Sequence, residues 1–296
     1  MANHIINTLG KGVTIKNMEL KLQLKQLRNK DIQQLSAEYF ESLIGDMLEN
    51  IGSVDPELRD KLIYPTFIWL INESLLLDKQ YQYILETCLD ENHLFYGVGE
   101  RNTDSVFTRS FSSLVITGLL SKDRQTGVLS EDNLKNAFER SINYLQNELD
   151  TRGYVKEKGW AHSIAHGADL LVSLVRHPKI SEKNFTKILN IVHTCLFKDA
   201  TYIDDEDERL IFVIEALIER NLDELELELW VLQIFTDLEL IYTKEGFSNE
   251  YFQTKFNTTN FLKALYFRLG YKNNRSNVRD LINGNLKELH QKVYGS

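Results

Sequence analysis

The sequence predicts an all-α protein built as an armadillo- or HEAT-like stack of helical pairs, an α-α superhelix, on three observations. Only 3 prolines occur in 296 residues, and proline is the residue that helix interiors exclude and loops collect. Apolar residues recur at helical spacing almost continuously from Glu19 onward. The helices also group in pairs whose first members start near 56, 104, 160, 206 and 258. The steps between them are 48, 56, 46 and 52 residues, close to the roughly 40–50 of a HEAT or armadillo unit. No sequence signature repeats between pairs, so a compact non-repeating helical bundle stays open beside the stack.

In order, helices are expected over 33–51, 56–77, 79–90, 104–121, 130–148, 160–176, 181–196, 206–221, 224–243, 258–269 and 277–293. Asp55 followed by Pro56 is an N-cap with proline at the first helical position. Ser130 and Ser181 each put a capping hydroxyl ahead of an acidic first turn. Gly153, Gly159, Gly246 and Gly270 punctuate the joins. No segment keeps strand alternation for long. The first 17 residues, MANHIINTLGKGVTIKN, have no helical period and are expected to form a loose leader, with 18–296 as a single all-helical domain.

The totals exclude several classes. Hydrophobic residues make up 43% and charged residues 26%, which suits a globular chain. A formal net charge of −9 weighs against nucleic-acid or anionic-membrane binding, which needs a basic surface. No apolar run of about 18 residues exists to span a membrane, and the N-terminus lacks a signal-peptide layout. A cytoplasmic location is the default. Cys88 and Cys195 match no metal or redox spacing and read as small buried hydrophobes.

One stretch stands apart. In GWAHSIAHGADLL (159–171), a helical wheel at about 100° per residue puts His162, His166, Asp169 and Ser173 within roughly 60° of one another, on an otherwise apolar helix. A stripe so narrow must face buried partners or a groove, since unpaired polar groups in a core are costly. Three readings compete. It is a structural hydrogen-bond network, a divalent-metal site using His162 and His166 at i and i+4, or metal-free acid–base chemistry with Asp169 tuning a histidine. HSIAH lacks the base of an HExxH zincin, and Asp169 lies about 10 Å along the axis from His162, far for shared ligation. No cofactor is otherwise implied.

Charges elsewhere fall at corresponding helix starts. Arg109 lies in DSVFTRSFSSL, after a segment carrying His93, Glu100 and Arg101, and Glu206, Asp207 and Arg209 open the helix at 206. In a stack of pairs Arg109, Glu206, Asp207 and Arg209 would converge with His162 and His166 along one edge. An all-structural ladder of ion pairs explains the same residues. Lys156 and Lys158 read as a solvated loop or as a small anion-binding spot.

The runs YPTFIWLINE (64–73), HLFYGVGE (93–100), DSVFTRSFSSL (104–114), RGYVKEKGWAHSIAHGADLL (152–171) and EDERL (206–210) resemble the bacterial family called domain of unknown function 2785. The resemblance covers roughly residues 59–269. It implies a protein of bacterial, mainly Gram-positive origin and an armadillo-like helical superhelix, with no established activity. The positions that match are Arg109, Trp160, His162, His166, Asp169, Glu206, Asp207 and Arg209. Two functions follow as expectations. The first is a binding scaffold for an unknown protein, a peptide or a small polar ligand. The alternative is a hydrolase using the His–Asp stripe, with or without metal, and with Arg109 holding an anionic group.

Overall fold

The structure is a computed structural model that describes residues 16–27, 35–272 and 275–295. The expected leader lies outside these residues apart from positions 16 and 17, which begin helix α1 (16–27). Helices follow at α2 (Ala37–Glu49), α3 (Tyr64–Asn72), α4 (Asp78–Cys88), α5 (Ser105–Thr126), α6 (Glu131–Asn147), α7 (Ser163–Arg176), α8 (Phe185–Leu196), α9 (Glu206–Glu219), α10 (Glu224–Glu245), α11 (Asn249–Tyr271) and α12 (Ser276–Tyr294). The all-α class is therefore correct. No helix among the described residues is long and apolar enough to cross a membrane.

Local chemistry sets most of the boundaries. Ser130 and Asn133 form a reciprocal capping box at the start of α6. Ser36, Asp223 and Ser248 cap α2, α10 and α11 with side-chain oxygens. Gly127 ends α5 in the left-handed conformation, at φ 66°, which costs glycine nothing. A π-helical turn at Glu57–Ile63 runs straight into α3. Pro65 follows it closely and has no N–H to give the ladder, and a wide turn ahead of it relieves the clash with the preceding carbonyl.

Two expectations need correction. The helix expected from 258 starts at Asn249. Thr258 and Thr259 resemble a start signal, but their hydroxyls donate to the carbonyls of Thr254 and Lys255 within the helix, both at 2.7 Å. The helix expected from 160 starts at Ser163, because residues 154–160 form a hairpin: β1 (Tyr154–Val155) pairs antiparallel with β2 (Gly159–Trp160). Strands of two residues are too short to show alternation. Residues 156–158 turn the hairpin, with Glu157 at φ 66°. Gly159 follows in β2 at φ 82°, pressed to within 3.0 Å of Arg59 and Asp60 at its vacant Cβ position, so a side chain there is both strained and crowded.

Packing orders the helices in two rows. In the first, α3, α5, α7, α9 and α11 each lie against the next. In the second, α6, α8 and α10 do the same, each also contacting the first-row helix that follows it, while α4 packs on α2 and α5 and α12 closes on α10 and α11. One contiguous apolar cluster runs from Leu20 to Ile282. Helix α5 is buried on nearly every side, Ser110, Ser112 and Ser113 included, and Cys88 and Cys195 are both buried free thiols.

At the C-terminal ends of α5 and α7, buried His177 faces Asp123 at 3.2 Å through Nε2 and accepts the Lys179 N–H at Nδ1. That arrangement fixes a neutral imidazole that donates to Asp123. Burial holds its pKa below the ordinary value; Asp123 pulls it up, and Lys179 and Arg124 push it further down. The unfolded chain takes up this proton below about pH 6.5 and the folded chain does so only at lower pH, so stability falls as pH falls through that window. Urea titrations at pH 7.5 and 5.5 should show the native protein losing up to about 1 kcal/mol more than His177→Gln. Equal losses would show that His177 does not titrate between the two states.

Candidate functional site

The starts of α5, α7 and α9 meet beside the hairpin. Pairing across the hairpin continues past its strands, with Ala161 N–H donating to Gly153 O at 2.8 Å and His162 N–H to Arg152 O at 3.0 Å. The chain then turns abruptly. His162 adopts the left-handed conformation at φ 49° and hands its carbonyl to the N–H of His166 as the first bond of α7. Such a conformation is costly for a residue with a Cβ and persists only where its surroundings enforce it. His162 is thus the residue before the helix, and helical spacing applies only from Ser163 onward.

His166 is buried and tied to α5. Its Nδ1 lies 2.7 Å from Ser110 Oγ, and Ser110 donates its own proton to the carbonyl of Ala161. The serine proton being committed, His166 must donate from Nδ1, which leaves a neutral imidazole with its lone pair on Nε2. Burial pushes its pKa well below the ordinary value, reinforced by His162, Arg209 and Arg59. Its ring stands edge-on to Phe111 and to His162, at 5.5 and 5.7 Å between centroids.

His162 faces the other way. Trp160 stacks on its ring at 4.3 Å and 25°, and Tyr154 meets Trp160 edge-on at 5.0 Å. Both outer aromatics are exposed. The buried Nε2 of His162 has no hydrogen-bond partner and points toward Glu206 Oε1, 4.0 Å away. Glu206 and Asp204 complete the group, the ligand-type atoms of the three residues lying within 4.8 Å of one another. Among the described residues this is the group of three ligand-type side chains that gathers, and it includes His162 but not His166. Burial lowers the His162 pKa, with Asp204 opposing, and raises those of Glu206 and Asp207.

The acidic run before α9 is shaped for this position. Asp205 caps the helix in the left-handed conformation at φ 64°. Glu206 Oε2 accepts the Asp204 N–H and Asp204 Oδ2 accepts the Tyr154 N–H, both at 3.0 Å. Glycine is required at 153, because a Cβ there would collide with the Asp204 carboxylate. Further along α7, Asp169 takes Arg209 through both carboxylate oxygens at 2.8 and 3.0 Å. Burial raises the pKa of Asp169 in spite of that cation.

Arg109 lies apart from the group. Fully buried, it forms a two-pronged bridge to Glu148 at 2.7 and 2.9 Å through Nε and Nη2, and its Nη1 reaches Tyr96 O, Gly97 O and Ser105 Oγ. With no part of the side chain exposed and its fork facing Glu148, Arg109 is not placed to hold an anionic ligand from solvent. Lys158 is likewise engaged with Asp104 at 2.7 Å. His93 pairs with Asp90 and Arg101 with Asp199, while Glu100 accepts from Thr103 and Ser105.

Sequence reasoning missed Arg59, Glu148 and Asp204. Arg59 is fully buried in the π-helical turn and donates to Ser53 O and Lys158 O, both at 2.6 Å, which fastens the hairpin to the front of α3. Asp204 was visible only as one acid in a run that suited a helix start.

Fold and site together define an all-helical protein with a histidine–carboxylate cluster where the starts of neighbouring helices meet. The chain belongs to the family described as Protein of unknown function (DUF2785), whose sequence model matches residues 94–267, more than half of its length. That span holds Trp160, His162, Asp204 and Glu206; Arg59 lies outside it. No curated protein and no solved structure matches the chain.

Proposed function

We propose that the protein is a recognition scaffold: one domain of helical pairs stacked in armadillo fashion, whose first row carries a groove for a peptide or a small polar ligand. The observation that carries this reading is a groove of about 530 Å³ along α7 and α9, bordered by Tyr64, Asp169, Ser173, Arg176, Phe212 and Glu215. Stacked pairs present extended surfaces of this kind. Asp169 lines the groove and holds Arg209, whose side chain is 41% exposed. A ligand carboxylate can therefore compete for the fork, and a ligand cation for Asp169. Hydrolysis is the second reading and is favoured by the His162–Asp204–Glu206 cluster alone.

Labelled random heptapeptides, sorted into acidic, basic and neutral pools, test the scaffold by fluorescence polarisation. At least one pool is expected to bind at micromolar concentration. Arg209→Ala should weaken that binding about tenfold, or ~1.4 kcal/mol, with an unchanged circular dichroism spectrum. Absence of binding by every pool, or binding indifferent to Arg209→Ala, would sink the proposal.

A further inference from the structure

We propose that His162 Nε2, Asp204 and Glu206 bind one first-row divalent cation of the zinc class. The inference does not need the groove to bind anything, so the two readings can fail separately.

The leading observation is an atom without a partner. His162 Nε2 is buried and makes no hydrogen bond, a costly state for a polar atom unless something fills it. Its nearest anionic neighbour, Glu206 Oε1, stands 4.0 Å away. That is too long for a hydrogen bond. Two donors that share an ion through bonds of about 2.0–2.2 Å at tetrahedral angles stand roughly 3.3–3.5 Å apart. The present spacing thus needs only a small rotation of side chains to close on a metal.

The surroundings are also those of a ligand set. Each carboxylate is oriented through one oxygen by a backbone N–H, Asp204 by Tyr154 and Glu206 by Asp204. Support of this kind holds metal ligands in place. The imidazole is clamped by Trp160 on its face and by a backbone conformation that leaves it no easy alternative. The Glu206 side chain is only 2% exposed, yet neither it nor Asp204 forms an ion pair with a lysine or arginine among the described residues. Arg209, the cation nearby, is held by Asp169. Two carboxylates with no lysine or arginine partner are therefore gathered around an imidazole nitrogen that has no hydrogen bond.

The donor types choose among metals. An imidazole with two carboxylates suits zinc, manganese or iron(II) better than calcium or magnesium, which take oxygen alone. Three protein ligands leave a coordination position for water or for a donor atom of a bound molecule. The exposed Trp160 and Tyr154 stand beside the His162 ring.

Untagged protein, stripped with chelator and dialysed, is titrated with zinc against a competing dye, and with cobalt(II) followed by its visible absorption. One zinc per chain is expected, with the intense bands of four-coordinate cobalt. Glu206→Gln should weaken zinc binding at least tenfold, whereas Asp207→Asn, an acid of the same run outside the trio, should change it less than threefold. Circular dichroism on each variant separates lost folding from lost ligation. Zinc that binds without 1:1 stoichiometry, or that is weakened equally by both variants, would reduce the cluster to a diffuse acidic surface and overturn the assignment. Peptide binding by the stripped protein is read in the same samples and reports on the groove alone.

Discussion

Glu148→Ala is expected to cost about 3–5 kcal/mol of folding stability, the range seen when one partner of a buried ion pair is removed. Neither Glu148 nor Arg109 exposes any of its side chain. Glu148 caps the end of α6, accepts both prongs of Arg109 from α5, and also accepts the Asp150 N–H at 2.9 Å. Alanine there leaves a guanidinium in the core with no carboxylate bonded to it, and the carbonyls of Tyr96 and Gly97 cannot neutralise it. Glu148→Gln retains the shape and an acceptor, so its loss should be smaller. The double variant Arg109→Met/Glu148→Leu should be more stable than Glu148→Ala, since it removes the stranded charge along with the pair. Denaturant midpoints at constant m-value measure all three. A Glu148→Ala protein within about 1 kcal/mol of the native one would show that water reaches Arg109 and that the bridge is not dry.

What the sequence makes legible is whatever is decided within a few residues. Ser130 with Asn133 and the acidic turns at 131 and 206 announce helix starts, because capping and dipole effects act over one turn. The same locality explains the misses. The hairpin at 154–160 is too short for a period, so Trp160 and His162 are read onto a helix that begins only at Ser163. Arg109 is visible as a charge in apolar company, Arg59 only as one charge among four in ELRDKL, and Asp169 again in apolar company. Their partners, Glu148, Lys158 O and Arg209, stand 39, 99 and 40 residues away. Nothing local ties a buried charge to its partner at such distances. Asp204 shows the limit most clearly. In TYIDDEDER it is one acid among five, and only the fold brings its carboxylate beside His162 and against Gly153.

Arg59→Lys keeps the charge and should still cost about 3 kcal/mol. Arginine is suited to this position by its flat fork. It lies over Phe107 and Phe111 at 4.2 and 4.8 Å, sends one prong to Ser53 O and the other to Lys158 O, and pairs with Asp60 at 2.7 Å. A lysine ammonium is a point charge on a flexible stem. It cannot stack on both rings while reaching two carbonyls on opposite sides, and charge-assisted hydrogen bonds lost in a buried place are worth about 1.5–3 kcal/mol each. The consequence extends beyond stability, because the bond to Lys158 O is what fastens the hairpin carrying Trp160 and the turn at His162. Arg59→Lys should therefore lose amide-exchange protection at Lys158 and Ala161, whose N–H groups bond within the hairpin, before it loses protection in α5 or α7. Its zinc affinity, measured well below the unfolding temperature, should fall with that protection. If stability drops while the hairpin stays protected, then Ser110, the Tyr154–Asp204 bond and the hairpin itself suffice to hold His162 in its left-handed turn. Arg59 would then act on the core of α3 and α5 alone.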